Sequence, residues 1–279
     1  MLVTHFLDLI PIWLLCLITV VLLVSFLEIG FRLGKRDILE VKKAQTSQTR
    51  TIMGAGFGLL AFMLAFTFNM AQTHFEARVQ SLAEEARIAR DAFMQADLLA
   101  EPERTQAKQL LKDYIDLRSF KRKVADTDVS KELEEVIHFS EEIQKNLWKL
   151  AVDNGKQSHL DESETRQNQM FMASVLALID VHYTRVHSSI MNRIPRTIWI
   201  TLYLMAMLSM MIMGYQAGLI GKRSPVATVT LAVAFSAVII LINDLDRPVM
   251  SFFEVNKQLL LDLDNYMQQD LQLEYHPGD

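Results

Sequence analysis

One cysteine, Cys16, stands in 279 residues, so neither a disulfide framework nor a cysteine metal site can be built within the chain. Glycine and proline are scarce, at 10 and 6, and the patterning is helical; little is left for a membrane barrel, whose roughly 10-residue strands alternate in polarity. A cationic surplus is missing too. With 28 Lys and Arg against 33 Asp and Glu, the net charge of −5 gives no electrostatic case for a nucleic-acid partner. No G-x-S-x-G elbow, phosphate loop or H-E-x-x-H motif occurs. His182 and His187 are five apart and do not share a helical face, while His138, His159 and His276 stand alone, so each reads as a surface or packing residue. The acid pairs Glu84-Glu85, Glu134-Glu135 and Glu141-Glu142 have basic neighbours and read as solvated helix faces. An enzyme is not expected, and no cofactor is implied. The start, MLVTHFLDLIP, has no basic n-region, and Gly34, Lys35 and Arg36 follow the first apolar run where a cleavage site would need small residues. It reads as a retained anchor.

Against these absences stands a mean hydropathy of +0.16 in a chain with 22% charged residues, which requires apolar and charged residues to be segregated. Four segments are apolar enough to cross a hydrocarbon core: Ile10 to Leu33, Ile52 to Ala71, Thr197 to Ala217 and Val226 to Asn243. Pro11 opens the first, with Trp13 near one interface and Glu28 near the other end, placed either to reach the headgroups or to meet a polar partner. The second places Gly54, Gly58, Ala61 and Ala65 on one face, small enough for another helix to approach closely. Gly58, Phe62, Phe66 and Met70 repeat every four residues on a neighbouring face, for which helix packing or lipid contact is the plainest reading.

No stop signal follows the second span. Phe75, Val79, Leu82, Ala86, Ala89, Phe93 and Ala96 continue at steps of four and three, predicting one long helix that leaves the membrane and ends near Ala100. Three further amphipathic helices follow, from about Pro102 to Lys123, from Asp128 or Ser130 to Gly155, and from Ser163 to Asn192. After the last span comes Asn243-Asp244-Leu245-Asp246-Arg247-Pro248, read most simply as a cap and ion pair at the membrane surface, and then a final amphipathic helix from about Phe252 to Leu273. The expected fold class is an all-α membrane protein with four transmembrane helices and a long-helix bundle inserted between the second and third spans. The expected segments are a hairpin at 1–72, the bundle at 73–196, a second hairpin at 197–243 and a C-terminal segment at 244–279.

The stretch from Leu60 to Arg78, LAFMLAFTFNMAQTHFEAR, resembles the second transmembrane helix of bestrophins and its exit. Asp244-Leu245-Asp246-Arg247-Pro248 is similar to that family's acidic-Pro segment. Together with Glu84-Glu85-Ala86, Ala96-Asp97-Leu98-Leu99 and Asn192-Arg193-Ile194-Pro195, it makes nearly the whole chain resemble the bacterial bestrophin-like family. The resemblance implies a homo-oligomeric, pentameric ion channel whose second helix lines a hydrophobic neck at Gly58, Phe62 and Phe66, with Gly58 replacing a bulkier residue. Asn69, Asp244, Asp246 and Arg247 are further pore or helix-end polar candidates. The acidic calcium clasp of eukaryotic members is missing after Pro248. Expected partners are the lipid bilayer, further copies of the chain and small permeating ions, and no metal site is expected.

Two arguments oppose each other on orientation. Lys35, Arg36, Lys42, Lys43, Arg50, Lys222 and Arg223 crowd the short loops, which by the positive-inside rule places the bundle outside. The resemblance places it in the cytoplasm of a cell with a bacterial inner membrane, and Arg78, Arg87, Arg90, Arg193 and Arg196 crowd that side too. The rival class is a non-conducting membrane-anchored sensor or scaffold, binding a partner through charged faces around Glu132 to Glu142.

Overall fold

The structure is a computed structural model that describes residues 10–37, 43–119, 129–156, 161–191, 193–221, 225–247 and 258–275. Lys42, Asp128, His159, Asn192, Lys222, Arg223, Pro248, Phe252 and His276, all used in the sequence reading, lie outside them. The described residues form helices and no strand: α1 (Ile12–Arg36), α2 (Lys43–Ala96), α3 (Glu103–Arg118), α4 (Val129–Gly155), α5 (Glu162–Met191), α6 (Arg196–Ile220), α7 (Pro225–Asp246) and α8 (Gln258–Tyr275).

Local chemistry sets the ends. Pro11 and Pro195 precede α1 and α6, where a missing backbone donor costs nothing. Gly221 closes α6 in the left-handed region at φ 71°, its N–H reaching the carbonyls of Ala217 and Gly218. Asp161 and Glu164 form a reciprocal capping box at the start of α5, each side chain accepting from the other's backbone N–H at 2.7 and 2.9 Å. With no such signal inside it, α2 runs unbroken for 54 residues.

The helices divide into two compact units, one from residues 3–76 and 192–254, the other from 77–191 and 255–279. α2 contributes to both.

In the first unit, α1, α6, α7 and the first part of α2 bury Leu23, Leu60, Leu202, Met210, Ile239 and Ile242. The closest packing is between α1 and α6, which run parallel and meet through glycine on both sides. A Cβ at Gly30 or Gly34 would overlap the backbone carbonyl of Met211 or Tyr215, and one at Gly214 or Gly218 would overlap that of Leu27 or Phe31. Both helices therefore carry glycines four residues apart, the spacing that lets backbones touch where lipid offers no hydrophobic drive for association. Thr19 with Tyr203 (3.1 Å) and Tyr215 with Asp37 (3.0 Å) add polar contacts along this seam. A Cβ at Gly54 or Gly58, whose spacing suggested close helix approach, would meet nothing within 4 Å among the described residues beyond its own helix.

In the second unit, Leu82, Ala86, Ala89, Phe93 and Ala96 of α2 are buried, while Val79 is 39% exposed. They pack with Leu111 and Ile115 of α3, Leu147 of α4, and Phe171, Val175 and Leu178 of α5. α8 is fixed to α3 by buried lysines. Lys108 Nζ lies 2.5 Å from Asp97, 2.8 Å from Asp270 and 5.2 Å from the Phe93 ring centre, and Lys112 Nζ lies 2.7 Å from the buried Asp264. The Lys112 ammonium is opposed by burial, but its hydrogen bonds to Asp264 and Asp116 outweigh that and raise its pKa.

Candidate permeation face and buried polar clusters

α2 leaves about half of its circumference uncovered within the first unit, with Ile52, Gly54, Leu59, Ala61 and Ala65 among the exposed residues, and a stripe runs along the middle of that face. Gln48, Thr51, Ala55, Gly58, Phe62, Phe66, Asn69, Thr73 and Glu76 are all exposed, at steps of three and four that keep them within a narrow sector of the helix. Phe62 and Phe66 are 66% and 50% exposed, so among the described residues nothing covers them. The expected neck positions Gly58, Phe62 and Phe66 thus share a face, and Asn69 lies on the same face one turn further on.

The acidic segment at the end of α7 is elsewhere. Asp244, Asp246 and Arg247 are 2%, 2% and 4% exposed, so the cap and ion pair expected at the membrane surface are replaced by groups that are buried within the unit. A buried carboxylate needs partners. Asp246 accepts the Ile194 backbone N–H at 3.0 Å and lies 3.6 Å from His74 Nδ1 and 3.8 Å from Arg193 Nε. Arg247 donates to Asn243 Oδ1 at 3.0 Å and to the Ile10 carbonyl at 2.8 Å, tying the end of α7 to the chain ahead of α1. Glu28, left open between headgroups and a polar partner, pairs with Arg32 at 2.9 Å on its own helix.

A second cluster lies in the bundle unit, and the sequence reading missed it. Glu84 and Glu85 do not share a solvated face. Adjacent residues on a helix point about 100° apart, so Glu84 turns to water and Arg87 (2.6 Å), while Glu85 falls on the seam with Leu82, Ala86 and Ala89 and is fully buried. Glu85 Oε1 accepts from Tyr114 Oη at 2.5 Å and Arg118 Nε at 3.1 Å, and Oε2 accepts from Arg185 Nη1. The single phenolic proton of Tyr114 is committed to Glu85, so the His182 Nδ1, 3.1 Å from Tyr114 Oη, must carry the hydrogen in that contact. Burial, with the Arg118 cation beside it, pushes His182 down to about 4 against a weaker pull from Glu141; burial also pushes Tyr114 up to about 12, partly offset by the Arg118 cation. Arg185 is drawn down to about 10 by burial. The cluster therefore holds one anion, two cations, a neutral imidazole and a neutral phenol. A signal was present: Glu85 stands three past Leu82 and four before Ala89, and His182 stands four past Leu178, so both occupy core positions of apolar stripes. Glu134, Glu135, Glu141 and Glu142 are exposed, as expected. Among the described residues no group of three or more His, Cys, Asp or Glu could hold a metal ion.

Four helices are long and apolar enough to cross a membrane, Ile12–Arg36, Arg196–Ile220, Pro225–Asp246 and the stretch Ser47–Ala96 within α2. The class is that of an all-helical membrane protein with a helical bundle unit. The model of the Bestrophin-like domain matches residues 17–259, and the chain belongs to that family. No curated protein matches it.

Proposed function

We propose that the protein is an oligomeric ion channel, pentameric as the bestrophin resemblance implies, in which α2 of each copy faces the axis and Gly58, Phe62 and Phe66 form a hydrophobic neck. The observation that carries this is the uncovered stripe of α2. It runs polar, small, aromatic and polar again without interruption, as a surface does when it meets water at both ends and must constrict between them. Rings of Phe62 and Phe66 would act by size and by dewetting, with no charge of their own. Gly58, with no side chain, makes the constriction two residues deep on one side. The buried Asp244, Asp246 and Arg247 take the role of fastening the end of α7, and Asn69 lies on the path. Membership of the Bestrophin-like family supports the same reading. In keeping with the resemblance, the membrane is a bacterial inner membrane and the bundle is cytoplasmic.

Reconstitution of the purified protein in planar bilayers tests this. The wild type is expected to carry small currents, and the Phe62→Ala, Phe66→Ala double variant larger ones. If neither conducts, and electron microscopy gives particles without a central axis lined by α2, the anchored scaffold takes its place.

A further inference from the structure

We propose that Glu76 is the charge-selecting residue of the path and that the permeating species are small monovalent cations; this rests on the channel reading above. Within residues 47–76 the formally charged side chains are Arg50 and Glu76. They are not equivalent. Taking Phe62 as the reference direction, Phe66, Asn69, Thr73 and Glu76 all fall within about 40° of it, while Arg50 is turned about 120° away. Glu76 is thus the first charge on that sector past the aromatics, ten residues or roughly 15 Å along the helix from Phe66; Glu84, Arg87 and Asp91 follow on the same sector, where Arg87 is paired with both acids at 2.6 and 2.7 Å, so these three add no net positive charge. Next to Glu76, Arg78 is turned about 160° from the stripe and is 7% exposed, so its cation does not face the same surface.

The hydrogen bonds around Glu76 bring in neutral groups. Gln72 Nε2 donates to Glu76 Oε1 at 2.9 Å, which positions the carboxylate with a neutral group and adds no opposing charge. Thr73 Oγ1 donates to the Asn69 carbonyl at 2.9 Å, so that hydroxyl is turned back onto its own helix. Behind the stripe, His74 faces Asp246 and is turned about 120° from Phe62. One carboxylate per copy therefore rings the path roughly 15 Å beyond the aromatic constriction. A unit charge about 6 Å from an ion in water biases its local concentration roughly threefold. Several together exclude anions from an otherwise uncharged neck, the arrangement by which acidic rings select cations.

The test is the reversal potential across a bilayer with a tenfold KCl gradient, measured in the Phe62→Ala, Phe66→Ala background so that the neck does not limit current. The parent is expected to favour K⁺ over Cl⁻ by roughly tenfold or more. Glu76→Gln is expected to bring the ratio near one, and Glu76→Lys to invert it. Size-exclusion elution identical to the parent shows that each variant assembles, and Glu76→Gln is close enough in shape to decide the matter if Glu76→Lys does not. Current with an unchanged reversal potential in Glu76→Gln, or an anion preference in the parent, overturns the proposal and leaves the channel reading standing. Absence of current from the parent overturns both.

Discussion

Replacing Glu85 by Gln is the sharpest test of how the bundle unit is held. The carboxylate is fully buried and accepts from Arg118, Arg185 and Tyr114. Glutamine keeps the shape but removes the negative charge, so two guanidinium groups lose their anion. Removing one partner of a buried ion pair costs about 3–5 kcal/mol, because the remaining charge stays desolvated. Tyr114→Phe is the milder change. It deletes one hydrogen bond to a charged acceptor, worth about 1.5–3 kcal/mol, and leaves both cations paired. At roughly 2–4 °C per kcal/mol for a unit of this size, Glu85→Gln should lower the midpoint by roughly 6–20 °C and Tyr114→Phe by roughly half that. Trp148 packs against the bundle core. With Trp13 and Trp199 changed to Phe, its fluorescence during thermal unfolding in detergent reports that unit alone. In the double variant the second change should cost less than it does alone, since the acceptor is then a neutral amide and the hydrogen bond weaker. A Glu85→Gln midpoint no lower than that of Tyr114→Phe, or strict additivity of the two, would refute the view that charge neutralisation is what Glu85 supplies.

The same cluster sets a pH dependence. Burial holds His182 at about 4, below its ordinary 6.5, so above pH 6.5 it is neutral folded or unfolded and contributes nothing. As pH falls through 6.5 the unfolded chain gains a proton that the folded chain refuses, and stability drops until about pH 4, by roughly 2 kcal/mol at pH 5. The Trp148 midpoint should therefore fall further between pH 7.5 and pH 5 in the wild type than in His182→Asn, and equal falls would count against the buried neutral imidazole. For the α1–α6 contact, Gly214→Ala places a methyl on the Leu27 carbonyl and should destabilise by about 1–3 kcal/mol despite alanine's better helix propensity. Gly54→Ala, with open space around it, should be neutral or stabilising by up to roughly 1 kcal/mol. Thermal midpoints of the two variants in detergent should move in opposite directions, or only the first should move.

The elements were legible because each rests on a local signal. Apolar runs marked the four spans, Pro11 and Pro102 marked helix starts, and the unbroken seam from Phe75 to Ala96 foretold that α2 continues past its span, though not that it begins at Lys43, nine residues ahead of the apolar run. Pairings were not legible. Gly54-x-x-x-Gly58 and Gly30-x-x-x-Gly34 look alike in the sequence, yet among the described residues the second pair meets a partner helix and the first does not, since which face finds a neighbour depends on the rotation of four spans together. The candidate neck was readable as a stripe, because exposure on one helix follows its period. The polar clusters were not, because a charged residue at a core position can be identified only when its counter-charges, 33 and 100 residues away for Arg118 and Arg185, are brought to it.

Glycines four apart on both α1 and α6 also fix how that pair can move. Each backbone fills the notch that the other's glycines leave, so a slide of one or two residues would press a side chain such as Leu27 or Tyr215 into a carbonyl. Only a jump of a whole turn, about 6 Å, re-registers the notches. The pair therefore works like a toothed rack, seated or displaced by a full step, and offers no soft intermediate position. Any graded rearrangement of the membrane unit must be taken up by α2 and α7.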